Sequence, residues 1–207
     1  MKVGSRAKPK APPMEAGVYI GVCIGVVDLG EQETVWKGKT RYANKVKIIF
    51  EIPSETIDVD GEERPRQLSR DFTVSTSSKG KLRQFVDAWL GRHMTDGEFS
   101  EFELFDLLGR SGQLNVVQSD DGQYADIGAI IGLPKGMPAP KAKSEHITFD
   151  AYEWDDETFD ALPDYLQERL KKSTQYKNRH LPDQEVSVKA ADLEAAEDAG
   201  DGEECPF

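Results

Sequence analysis

Cysteine is scarce in this chain: two residues in 207, Cys23 within an apolar run and Cys205 two residues from the carboxyl end. Two such thiols supply neither a disulfide framework nor the paired spacing of a zinc site. Histidine is almost as rare, and His93, His146 and His180 lie far apart in the sequence. There is no Walker loop, no zinc-spaced Cys/His set and no nucleophile motif, so the sequence predicts no enzyme, no metal and no cofactor. Asp155, Asp156 and Glu157 read as the start of an acidic region rather than as metal ligands. No apolar run approaches the ~18 residues of a membrane span, and residues 1–13 are rich in Lys and Pro without an apolar signal core. A cytoplasmic protein with no membrane contact is expected.

What is abundant is acid, and it is unevenly placed. Residues 1–149 carry 20 Lys and Arg against 21 Asp and Glu, a net of −1, whereas residues 150–207 carry 6 against 17, a net of −11. An overall pI near 4.8 would argue against a phosphate-binding protein. Charge gathered at one end says little about the surface of the folded part, however, and the objection weakens.

The periodicity predicts a mainly β fold with minor α. Residues 17–27 alternate so that Val18, Ile20, Val22, Ile24 and Val26 share one face, with Tyr19, Gly21, Cys23 and Gly25 on the other. A polar loop over 28–44 leads to a second strand at 45–52, and a third follows at 67–76. The period then changes, and Leu82, Phe85, Val86 and Trp89 mark a helix ending at Gly91. A second helical piece spans 97–108, and two closing strands follow at 113–118 and 124–133. Three strands, a helix, then two strands is the order of a five-stranded oligonucleotide-binding (OB) barrel, with a small sandwich as the alternative. The expected organisation is a basic arm over 1–13, the barrel over 14–133, and a linker with one C-terminal helix over 134–181. An acidic tail occupies 182–207, where nine acids face one Lys and disorder is expected.

The candidate binding residues lie in the first half. Trp36, Lys37, Lys39, Arg41, Tyr42, Lys45 and Lys47 bring five cations and two rings into one stretch without an acid. Single-strand binding needs that combination, cations for phosphates and flat faces for bases. Arg66, Arg70 and Phe72 on or beside the third strand, and Lys79, Lys81 and Arg83 at the start of the helix, are further candidates. Each could equally serve solubility or the core. At the other end, Asp201, Glu203, Glu204, Cys205, Pro206 and Phe207 place a bulky ring and a free carboxylate after a run of acids. Such a tip suits capture by an apolar pocket with a basic rim.

That ending resembles the acidic Pro-Phe tip of bacterial single-stranded DNA-binding proteins, with glutamates around Gly202 in place of aspartates and Cys205 in place of an aliphatic residue. The body is similar to bacteriophage single-stranded DNA-binding proteins through Gly17-Val-Tyr19, Val27-Asp-Leu-Gly30, Ile49-Phe-Glu51, Thr73-Val-Ser75, Leu107-Leu-Gly109 and Lys171-Lys-Ser-Thr-Gln-Tyr176. The resemblance implies an OB-fold protein that coats single-stranded DNA in phage replication, recombination and repair, within an infected bacterial cell. It also implies that the tip recruits replication enzymes such as a polymerase, helicase, primase or nuclease, and it is compatible with a homo-oligomer. The competing expectation is an OB-fold protein adaptor whose acidic tail imitates nucleic acid.

Overall fold

The computed structural model describes residues 12–36, 38–59, 61–75 and 77–180. Most of the basic arm and the whole acidic tail lie outside them. The described chain is mainly β, with strands β1 (Gly17–Trp36), β2 (Lys39–Val59), β3 (Glu62–Thr73), β4 (Ser111–Gln118), β5 (Ala125–Gly132) and β6 (Ile147–Phe149). The first five form one antiparallel sheet in the order β3-β2-β1-β4-β5, and β6 joins β1 in parallel. No ladder joins β3 to β5 among the described residues, so the expected barrel is not closed and the sheet has six strands rather than five.

Besides its short parallel pairing with β6, β1 belongs to two antiparallel ladders. Residues 17–22 pair with β4 and residues 22–36 with β2. Over residues 17–21 the face carrying Val18 and Ile20 turns outward, Val18 being 67% exposed, while Cys23 on the glycine face is fully buried. The glycines explain this: a Cβ on Gly21 would lie 2.5 Å from the Leu114 side chain, so the small face of the strand is the one pressed into the interior. A bulge between Cys23 and Gly25 then resets the phase. Beyond it Val26 points into the same core as Cys23, while Ile24, Val27 and Leu29 serve a second core on the opposite face.

The first core stacks Val46, Ile48, Phe50 and Ile52 of β2, Phe72 of β3 and Leu114 of β4 against helix α1 (Lys81–Leu90). Leu82, Phe85, Val86 and Trp89 form the buried stripe of α1, and Gly91 at φ 68° ends it in the left-handed conformation expected of a terminating glycine. The rings of Phe50 and Trp89 lie 5.1 Å apart, and those of Phe72 and Phe85 4.7 Å apart. The second helical piece is shorter than its periodicity suggests, dividing into α2 (Asp96–Ser100) and a 3-10 turn over Leu104–Leu107.

The expected linker and single C-terminal helix are in fact a lobe folded back on the sheet. Ile24, Val27, Leu29 and Ile49 are covered by Phe149, Ala151, Phe159, Leu162, Leu166 and Leu170, the last two fully buried. Each such leucine contributes about 1.5–3 kcal/mol by leaving water. In place of the single expected helix, this stretch holds α3 (Asp156–Ala161), α4 (Asp164–Leu170) and α5 (Thr174–His180). Pro163 precludes continuation from α3 and sits at the N-cap of α4. The Ser173 hydroxyl donates to the Leu170 carbonyl and accepts from the Tyr176 N–H, closing α4 and opening α5. Asp155 caps α3 through the Thr158 N–H, and Asp156 pairs with Arg179, so these acids have structural tasks.

The lobe is fastened by a buried carboxylate. Glu51 accepts the backbone N–H groups of Lys143 and Ser144 at 2.7 and 2.8 Å, one on each oxygen. Burial alone would raise its pKa, but hydrogen bonds from Ser144 and Lys143 outweigh burial and hold it below the ordinary carboxylate value.

Candidate nucleic-acid interface

The predicted polar loop between the first two strands is instead a long hairpin, because β1 runs to Trp36 and β2 begins at Lys39. β2 keeps unbroken alternation from Lys39 to Glu51, the irregularities of this ladder falling on β1. Lys39, Arg41, Lys45 and Lys47 therefore share one face of one strand, a track of roughly 26 Å at about 3.3 Å per residue. The pleat separates them from Tyr42, which is 54% exposed on the opposite face as the register partner of Glu33. Cations and ring interleaved in sequence are thus divided in space. Trp36 is the register partner of Lys39. Its side chain lies outside the described residues, as do Lys37 and the whole of Asp201, Glu203, Glu204, Cys205, Pro206 and Phe207.

At its inner end the track enters a cleft of about 690 Å³ lined by Lys45, Lys47, Arg70 and Lys81 with Asp71 and Asp126, four cations against two carboxylates. Lys45 donates to the Thr73 hydroxyl at 2.5 Å, a neutral partner that leaves its charge available. Lys47 is different: its Nζ lies 2.5 Å from Asp71 and its side chain is only 13% exposed. Asp71 also holds Arg169 of α4 at 2.9 Å, so this carboxylate joins the sheet to the lobe at the border of the track. Burial and the Asp71 carboxylate push the nearby Tyr165 hydroxyl up in pKa.

The remaining candidates divide. Lys79 and Lys81 are exposed at the start of α1, and Lys81 reaches the cleft. Arg70 donates to the carbonyls of Ile127 and Gly128, and Arg66 to that of Pro12, so both arginines already hold backbone. Phe72 is 3% exposed and packs against Phe85, which removes it as a stacking ring. Arg83 is likewise buried, pairing with Asp96 and the Met94 carbonyl beneath the Phe99 ring, and is a core residue rather than a phosphate ligand. Alternation correctly puts Arg70 and Phe72 on one face, but that face is the interior. Asp71, Asp126, Tyr165 and Arg169 are the residues sequence reasoning missed. Only the i, i+4 spacing of Tyr165 and Arg169, opposite the leucines of α4, hinted at a common surface.

A second hollow of about 260 Å³, beside Phe105 and Phe149, is lined by Asp150, Glu153 and Asp155 and would repel phosphate. Among the described residues no group of three or more His, Cys, Asp or Glu could hold a metal ion, and no helix is long and apolar enough to cross a membrane. Burial pushes the Cys23 thiol up to about 12, which leaves it unreactive.

No family model, no curated protein and no solved structure matches this chain.

Proposed function

We propose that this chain is a non-enzymatic, sequence-non-specific single-stranded DNA-binding protein. It coats DNA during phage replication and recombination, and recruits partner enzymes through Asp201, Glu203, Glu204, Cys205, Pro206 and Phe207. Its sheet is an OB barrel left open between β3 and β5, with α1 inserted between the third and fourth strands. The observation that carries the reading is the alignment of Lys39, Arg41, Lys45 and Lys47 on one strand face leading into a cleft that Lys81 also lines. Cations aligned on one face follow a flexible phosphate backbone without reading bases, which is the requirement of non-specific coating. The test is fluorescence anisotropy of a labelled oligo-dT across a salt series with duplex as competitor. Preferential single-strand binding that weakens with salt along a log-log slope of about three to five phosphates supports the reading, and absence of binding at low salt defeats it.

A protein adaptor is the second reading, favoured by one specific surface. On the outer face of β1, β4 and β5 the rows Val18–Asn115–Ala129 and Ile20–Gln113–Ile131 carry no charge, and Val18 and Ile131 are exposed. An uncharged sheet face suits a protein partner better than a phosphate chain. If it is the working surface, Val18→Glu or Ile131→Glu abolishes partner capture while charge reversals on the track do not.

A further inference from the structure

The cationic face of β2 has no described stacking ring of its own: Tyr42 lies across the pleat and Phe72 is in the core. The lobe, however, sits on that same face, because Ile49, two residues beyond Lys47, is part of the second core. Helix α4 runs along its edge. Leu166 and Leu170 bury one side of the helix, and Arg169 on the other side meets Asp71. Tyr165, one turn before Arg169, is 50% exposed. At the far end of α4 the Arg169 carbonyl accepts at 3.2 Å both from the side-chain amide of Gln32 and from the backbone N–H of Lys172. Gln32 is the register partner of Ala43, which stands between Arg41 and Lys45 on the track face. The backbone of Lys172, an exposed residue, is thereby tied through the Arg169 carbonyl to Gln32, the residue opposite Ala43.

We infer that α4 forms the second wall of the single-stranded DNA path, with Tyr165 as a base-stacking ring and Lys172 as a phosphate contact. The inference rests on the DNA-binding reading and deepens it: the lobe is part of the interface rather than a support behind the sheet. A strand lying along β2 meets cations beneath it and, at the lobe border, a ring and a further cation beside it, the pairing of charge and flat surface that single-strand binding uses.

The experiment uses the full chain and labelled oligo-dT. Tyr165→Ala weakens binding about tenfold with an unchanged salt slope, while Tyr165→Phe stays within twofold of the parent. Lys172→Ala lowers the salt slope by about one. Photocross-linking of the unmodified protein to iodouracil-substituted oligonucleotide, mapped by mass spectrometry, places adducts within residues 165–172. If the parent binds and Lys45→Glu abolishes binding, yet Tyr165→Ala and Lys172→Ala are indistinguishable from the parent and adducts fall elsewhere, the second wall is overturned and the DNA-binding reading survives. If the parent binds no single strand, both fall together.

Discussion

Arg70 on β3 donates to the Gly128 carbonyl on β5 at 2.9 Å, reaching across the seam where no ladder joins the two strands. The same guanidinium also donates to the Ile127 carbonyl and lies 5.3 Å from the centre of the Phe72 ring. A side chain here does the work that backbone pairing does in a closed barrel. Arg70→Ala should destabilise the fold by about 1.5–3 kcal/mol, the worth of hydrogen bonds to a charged group. Urea denaturation gives the size, and faster amide exchange in β5 locates the loss.

Lys45 and Lys47 stand two residues apart on one face but differ in what they have left to give. Lys45→Ala should lower the salt slope of oligo-dT binding by about one, whereas Lys47→Ala should change it less because Asp71 already opposes that charge. Asp71→Asn releases Lys47 and Arg169 together and should tighten binding at low salt. A measured weakening would mean that Asp71 is needed to hold the lobe in place.

Its neighbours Lys79 and Lys81 make Arg83 a phosphate candidate in sequence. Its burial makes the opposite prediction: Arg83→Ala should cost about 1–3 kcal/mol of stability by leaving the Met94 carbonyl without this donor, and should leave the salt slope unchanged. Thermal melting and the anisotropy series on the same preparation decide the matter.

Glu51 ties lobe docking to acidity. Its folded-state pKa lies below the value the unfolded chain would have, so its contribution is fully present above the ordinary glutamate range. It is lost as pH falls through the depressed folded value. Glu51→Ala removes the acceptor of two backbone N–H groups and should cost about 1–3 kcal/mol for each donor left unpaired. Amide protection in β6, taken relative to the intrinsic exchange rate at each pH, should fall at low pH in the parent and be low throughout in the variant.

The strands, α1 and its buried stripe were legible because period-two and helical spacing are local properties of the chain. The hairpin over 28–44 was not, because beyond Leu29 its residues are mostly polar on both faces and held largely by pairing. Nor was the facing of β1, where Val18 and Ile20 obey the alternation yet the glycine face turns inward to make room for Leu114. The cationic stretch was visible as composition, but separating Lys39 and Arg41 from Tyr42 needed the register with β1. Burial of Arg83 and Phe72 depended on contacts across the fold. So did the meeting of Asp71 with Tyr165 and Arg169, of which only the i, i+4 spacing of the last two is local.

The bulge after Cys23 gives β1 residues in both cores, and this bears on how the molecule comes apart. A strand that is a wall of two hydrophobic chambers cannot leave one without uncovering the other, so the sheet and the lobe should melt in a single cooperative transition. Cutting the chain after residue 133 would leave Ile24, Val27, Leu29 and Ile49 facing water, an apolar patch that invites aggregation. Residues 134–180 behave less as an appendage to an independent domain than as the closing half of its fold.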